Sequence, residues 1–139
     1  MKPRILIAAL VSVQALIIVS AQGRTTLDGV YTAAQATRGA TVYKDSCASC
    51  HGDDLSGGGQ TPALTGKEFN GDWNDLTLSD LFDRTRLSMP ADKPGSLTPA
   101  QTADVIAFLL SKGDYPAGQT ELPADGAALK ALKFASPKP

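Results

Sequence analysis

The sequence contains few of the side chains that bind metals or carry redox chemistry. Among its 139 residues are one histidine, two cysteines and two methionines, one of which is the first residue. Neither sign of charge dominates, since 13 lysines and arginines stand against 14 aspartates and glutamates. This balance argues against nucleic-acid binding and against attachment to an anionic membrane surface. The scarcity of histidine, cysteine and methionine leaves very few candidates for a metal site that uses imidazole or sulfur ligands.

Long apolar runs are absent beyond the first 21 residues. There, Lys2 and Arg4 precede an apolar run over residues 5–19, and small residues precede a predicted cleavage site after Ala21. This order is typical of a cleaved export signal. The alternative is a retained membrane anchor, but about 15 residues are fewer than the roughly 20 that span a bilayer. The sequence therefore predicts an exported protein with no membrane insertion after cleavage.

The remaining chain is long enough for one domain with a single core. We expect this domain to cover residues 22–112. Residues 113–139 are rich in proline and alanine and form an extension that packs on the domain or docks a partner. No useful run alternates apolar and polar residues as a strand would. The sequence thus predicts an all-α fold of three to five helices with long loops.

Three segments carry the signals of a helix start. Thr32 to Gln35 and Thr98 to Gln101 have the hydroxyl and amide of a capping box, and Thr77 to Asp80 has a similar pattern. These signals predict helices over about 33–46, 78–88 and 99–112, and a further short helix follows Asp125. The apolar stripe of the first helix contains Gly39, which lowers helix propensity, so we expect another element to approach closely there.

The segment after the first helix is rich in glycine from residue 52 to residue 59. Its glycines and single apolar residue predict a surface loop. A phosphate-binding loop is the alternative. The sequence lacks the Gly-Lys-Ser/Thr that such a loop requires, so this alternative is not favoured.

Both cysteines and the histidine occur together in Cys47-Ala-Ser-Cys50-His51. A disulfide is the ordinary expectation in an exported protein, but this pair would close a very small loop and stabilise little. Structural zinc usually needs four cysteine or histidine ligands, and a thioredoxin-like dithiol needs a βαβ context. The motif therefore predicts a c-type haem, with Cys47 and Cys50 binding its vinyl groups and His51 binding its iron.

Only one methionine follows the export segment, so it is the leading candidate for the sixth iron position. Met89 lies 38 residues after His51 and precedes Pro90, which disfavours helical backbone at residue 89. A lysine, or no ligand at all, would be the alternatives. Met89 could also simply fill a gap in the core. Its isolation and its place between two helices favour a ligand.

From about Thr32 to Lys112, the chain resembles the class I mono-haem cytochromes c. The matching features are, in chain order, Gly39 and Tyr43 in the first helix, Cys-Ala-Ser-Cys-His-Gly, Pro62-Ala-Leu-Thr-Gly, the Met89-Pro90 loop and Phe108 in the last helix.

The resemblance implies several contacts that the spacing alone does not give. The first and last helices should cross at Gly39, with Tyr43 and Phe108 nearby. The carbonyl of Pro62 should accept a hydrogen bond from His51. Three side chains are candidates to meet the haem propionates, namely Trp73, Arg84 and Arg86.

Four further segments are Tyr-Thr-Ala-Ala-Gln-Ala-x-Arg-Gly from residue 31, the glycine-rich loop, Ser-Met-Pro-Ala-Asp-Lys-Pro-Gly from residue 88 and Tyr-Pro-Ala-Gly from residue 115. In these segments the chain is similar, more narrowly, to bacterial cytochromes that accompany periplasmic quinoprotein dehydrogenases. The resemblance implies a periplasmic electron carrier, a monomer or complex subunit without enzymatic activity of its own. It would accept electrons from a dehydrogenase and pass them to a terminal oxidase or another cytochrome. A membrane-anchored protein facing the periplasm is the alternative location. A haem sensor or peroxidase-like enzyme, with an open or displaceable sixth position, is the alternative function.

Overall fold

The computed structural model describes residues 23–137, and all regular elements in this range are helical. The elements are a 3-10 turn over Thr26–Asp28, then α1 (Ala33–Ser46), α2 (Ala48–His51), α3 (Gly66–Trp73), α4 (Leu78–Ser88), α5 (Pro99–Lys112) and α6 (Gly126–Leu129). The prediction of an all-α fold with long loops is confirmed. The predicted export segment lies outside the described residues. Within residues 23–137, no helix is long and apolar enough to cross a bilayer.

The strongest helix starts follow the predicted capping chemistry. In α4, the backbone N–H of Thr77 donates to Asp80 at 2.8 Å, and that of Asp80 donates to the Thr77 hydroxyl at 3.3 Å. In α5, Thr98 and Gln101 exchange the equivalent bonds at 2.9 and 3.2 Å. These bonds satisfy N–H groups that have no partner within the helix.

Only one of the two hydrogen bonds of the capping box predicted at the start of α1 is present. Thr32 does accept from the backbone N–H of Gln35 at 3.1 Å. The Gln35 amide, however, is 2 % exposed and pairs with the backbone of Leu122, donating at 2.9 Å and accepting at 2.7 Å. Both polar atoms of a buried amide need partners, and Leu122 supplies them both.

The α1–α5 crossing is the most extensive helix contact in the described chain. A Cβ atom added at Gly39 would overlap the backbone oxygen of Asp104 and lie 2.9 Å from the Cβ of Phe108. The rings of Tyr43 and Phe108 have their centroids 5.1 Å apart beside this crossing. The expectation of a close approach at Gly39 is confirmed, with the last helix as the neighbour.

Helix α3 was not predicted from the sequence. This helix has eight residues, and its N-cap Thr65 makes no side-chain capping bond. It contains two glycines, and of its side chains only Phe69 is buried. Six α-helices thus lie in the described residues, one more than the upper expectation, although α2 and α6 are single turns of four residues.

The extension after α5 packs on the domain. Five of its apolar side chains are buried, namely Tyr115, Leu122, Leu129, Leu132 and Phe134. Its backbone pairs with the segment before α1, where the N–H of Thr26 donates to the Lys133 carbonyl at 3.0 Å. It also pairs with the start of α4, where the N–H of Leu78 donates to the Leu132 carbonyl at 2.8 Å. The short helix expected after Asp125 is present as α6.

Candidate haem site

A cavity of about 770 Å³ lies between α1, α2, α3, α4 and α5. Its volume falls within the roughly 300–1,000 Å³ of small-molecule and cofactor sites. Seven side chains that the sequence analysis selected line this one cavity, namely Cys47, Cys50, His51, Pro62, Trp73, Arg84 and Met89. Tertiary folding therefore brings together residues from separate elements along the chain.

The Cys-Ala-Ser-Cys-His segment forms a single helical turn. The Cys47 carbonyl accepts from the backbone N–H groups of Cys50 and His51, at 3.1 and 3.0 Å. The hydroxyl of Tyr43 donates to the Gly52 carbonyl at 2.6 Å and so holds the end of this turn against α1. Burial is the main reason that the pKa of Tyr43 is raised to about 12, so the phenol stays protonated as a donor.

Both cysteines are free thiols, which leaves them available to form thioether bonds. Cys47 is half-buried and Cys50 is exposed. Burial, and secondarily the charge of Cys50, raises the pKa of Cys47 to about 11. Within residues 23–137, no cluster of three or more histidine, cysteine, aspartate or glutamate side chains is arranged to hold a metal ion.

The single imidazole has a fixed orientation. His51 is 8 % exposed, and its Nδ1 lies 2.9 Å from the Pro62 carbonyl oxygen. A carbonyl only accepts, so Nδ1 carries the proton and Nε2 keeps its lone pair. This is the tautomer that a metal-binding imidazole requires, with the outer hydrogen bond raising ligand basicity. The contact that the resemblance implied for Pro62 is present.

Met89 lies at the C-terminal end of α4 with extended backbone, at φ −120° and ψ 151°. Its N–H still donates to the Thr85 carbonyl at 3.1 Å, which anchors the residue to the last turn of the helix. No lysine lines the cavity among the described residues, whereas Met89 does. The cavity thus holds one imidazole and one thioether.

The three candidates for the propionates occupy different places. Trp73 lines the cavity and packs on Phe69, with ring centroids 6.2 Å apart. Arg84 also lines the cavity, and its guanidinium donates to Ser88 at 3.5 Å. Arg86 does not line the cavity, and its buried Nε has no hydrogen-bond partner within the described chain. Of the two candidate arginines, only Arg84 therefore lines the cavity.

Much of the cavity wall was not predicted as part of the site. The apolar part comprises Leu64, Phe69, Leu76, Leu81, Val105 and Leu109, in addition to the residues named above. In the sequence, Leu81, Val105 and Leu109 read as ordinary core positions because their helical spacing is the same, whereas Leu64 and Leu76 lie outside the helices and carry no periodic signal. Two thiols, one oriented imidazole, one thioether and an apolar wall fit a flat, largely apolar iron porphyrin.

Comparison with known proteins gives the same assignment. The family model described as "Cytochrome C oxidase, cbb3-type, subunit III" matches residues 34–109. The chain is 39 % identical over 88 residues to the fructose dehydrogenase cytochrome subunit of Gluconobacter japonicus, an alignment that covers 56 % of this chain. The chain spans only 18 % of that relative. No solved structure matches the chain.

The family match extends over more than half of the chain and contains the whole Cys-Ala-Ser-Cys-His turn together with Met89. The protein therefore belongs to this cytochrome c family, and its cofactor is haem c.

Proposed function

We propose that the protein is a one-electron carrier that accepts electrons from a dehydrogenase and delivers them to a respiratory-chain acceptor. The observation that carries the proposal is the meeting of Cys47, Cys50, His51 and Met89 at one cavity. Membership of the cytochrome c family supports electron transfer in general. The identity of the two redox partners, and a periplasmic location after export, belong to the proposal.

When bound, haem c supplies reversible one-electron oxidation and reduction at its iron. The residues of this chain hold the cofactor and exclude competing chemistry. Cys47 and Cys50 would attach it through thioether bonds, and Nε2 of His51 and the sulfur of Met89 would bind its iron. With both of these residues bound, the iron would not be open to a substrate or small ligand.

The cavity wall supports a positive reduction potential. A methionine thioether favours ferrous iron more than a second imidazole does. The apolar wall, which includes Leu81, Val105 and Leu109, lowers the local dielectric and further disfavours the more highly charged oxidised centre. We therefore expect a midpoint potential above zero.

The dehydrogenase as electron donor is supported by the relative from Gluconobacter japonicus, whose name describes it as a cytochrome subunit of fructose dehydrogenase. Because this chain spans 18 % of that relative, a fructose-oxidising partner does not follow from the likeness. We propose a periplasmic dehydrogenase as partner, met either by a free carrier or by a subunit of the complex.

Spectroscopy of the holoprotein from an export-competent host tests the carrier function. We expect covalently bound haem, a far-red iron–sulfur band in the oxidised form, and no carbon monoxide binding by the reduced form. Ready carbon monoxide binding, without the far-red band, would instead favour the sensor or peroxidase-like alternative. A matching test of the partner is rapid reduction of the holoprotein by the purified dehydrogenase from the same organism.

A further inference from the structure

The loop between α2 and α3 closes on itself beside the histidine. The N–H of Gly57 donates to the His51 carbonyl at 2.9 Å. Immediately afterwards, Gly58 and Thr61 exchange two backbone hydrogen bonds, each of 3.0 Å. This closed turn delivers the chain directly to Pro62, so the position of the Pro62 carbonyl depends on how tightly the turn closes.

Gly57 is the point where the loop has no room for a side chain. Its φ of +68° lies in the left-handed region. A Cβ atom there would overlap the Thr61 carbonyl oxygen and lie 2.8 Å from the oxygen of Pro62. The Pro62 oxygen is the atom that accepts from Nδ1 of His51 at 2.9 Å. Any side chain at residue 57 must therefore displace the two peptide groups on which this hydrogen bond depends.

We propose that Gly57 is a positioning residue for the axial histidine, because closure of the loop at Gly57 holds the Pro62 carbonyl on the His51 ring. Gly57 does not line the cavity, so it acts through Pro62 and not by contact with the cofactor. The inference rests on the proposed function only in taking His51 as an iron ligand.

The carbonyl acceptor gives the imidazole partial imidazolate character and makes Nε2 a stronger donor. A stronger donor stabilises ferric iron relative to ferrous iron. Displacing the acceptor should therefore raise the midpoint potential. It should also expose the Nδ1 proton to exchange with solvent.

The test compares the holoproteins of Gly57→Ala and Gly59→Ala. Gly59 has a nearly equal φ of +61°, but a Cβ atom there would meet nothing within 4 Å. Both variants thus bear the same left-handed strain, and only Gly57→Ala presses on Pro62. We expect a more positive midpoint for Gly57→Ala. Exchange of the His51 ring N–H, followed by NMR in the reduced state, should become roughly two- to tenfold faster, as for loss of one hydrogen bond.

Equal midpoints and equal exchange rates in the two variants would overturn the inference. If Gly57→Ala yields no holoprotein, a second variant with one glycine inserted after Gly58 is used in its place. The insertion opens the Gly58–Thr61 turn without adding a side chain. The same rise in midpoint is then expected, and an unchanged midpoint overturns the inference. Absence of haem or of the far-red band from the unmodified protein would instead contradict the proposed function, so the two failures are distinguishable.

Discussion

Both residues proposed as iron ligands form a hydrogen bond with a backbone carbonyl group. The His51 ring is oriented by the Pro62 carbonyl, and the backbone of Met89 is tied to the carbonyl of Thr85. The sequence proposes these two residues because few soft or imidazole donors are available, with a lysine or an open position as the alternatives to Met89. The choice between Arg84 and Arg86 did not follow. Residues two apart on a helix point to different sides, so the phase of α4 decides which of them reaches the cavity.

Replacing Met89 tests the sixth ligand at the residue scale. Met89→Ala removes the thioether, so we expect loss of the far-red band, a lower midpoint potential and carbon monoxide binding by the reduced protein. The measurements are optical spectra and a redox titration. Leu87→Ala is the control, since Leu87 is 61 % exposed and does not line the cavity. An unchanged spectrum and midpoint in Met89→Ala would remove Met89 from the ligand set.

At the scale of single elements, a helix could be predicted when the residues that fix its ends lie close together in the sequence. The starts of α4 and α5 were predicted because each is fixed by two side chains within four residues. Helix α3 was missed because it lacks a side-chain cap and contains two glycines. It is held instead by partners distant in sequence, such as the Tyr115 hydroxyl, which donates to Asn70 at 2.9 Å.

The close α1–α5 crossing predicts that even a methyl side chain at residue 39 lowers the free energy of unfolding. Gly39→Ala places a Cβ atom on the Asp104 carbonyl, and overpacking of this kind costs about 1–3 kcal/mol of unfolding free energy. Gly71→Ala is the matched control in α3, because a Cβ atom there meets nothing within 4 Å. It should be neutral or stabilise by roughly 0.5–1 kcal/mol. Denaturant unfolding of both holoproteins measures the difference, and equal stabilities would contradict the crossing.

The capping box of α4 predicts a pH-dependent contribution to stability. The pKa of Asp80 is lowered, chiefly by the side-chain hydrogen bond of Thr77 and then by its backbone N–H. A carboxyl whose pKa is lower in the folded state stabilises the fold above its unfolded pKa, and this stabilisation is lost as pH falls through the folded pKa. Thr77→Ala should cost about 0.5–2 kcal/mol at neutral pH, and less in acid below about pH 4.

The control for this titration is Thr98→Ala in α5. Its capping partner Gln101 does not titrate, so its cost in unfolding free energy should be the same at both pH values. Chemical denaturation at neutral and acidic pH makes the comparison. A Thr77→Ala cost that stays constant with pH would show that the Asp80 carboxylate contributes nothing through this cap.

At the scale of the whole molecule, the extension completes the wall behind the cofactor cavity. The Phe134 ring packs against Phe69, which lines the cavity, with centroids 5.9 Å apart, and against Tyr115 at 5.4 Å. On another face, Arg38 of α1 joins Asp104 of α5 and Glu121 of the extension at 3.0 and 2.9 Å. The second contact is an exposed ion pair and contributes little, so we assign most of the attachment of the extension to its buried apolar side chains.

Truncation of Phe134 tests whether the extension is part of the folding unit. This side chain is 1 % exposed, so Phe134→Ala should cost about 3–5 kcal/mol of unfolding free energy. Lys130→Ala, at an exposed position of the same extension, should change stability by less than about 0.5 kcal/mol. Thermal or denaturant unfolding of the holoproteins measures both. A Phe134→Ala protein with an unchanged transition would mean that packing of the extension contributes nothing to the stability of the domain.

The sequence by itself determined the cofactor attachment motif, the candidate iron ligands, the helical class and the ends of the helices with complete caps. Each of these depends on residues close together in the chain or on a residue type too scarce to leave alternatives. Only the tertiary structure decided that the extension packs on the domain, that Gln35 pairs with Leu122, and which arginine faces the cavity. Those outcomes depend on contacts between distant segments, which local propensity and spacing do not encode.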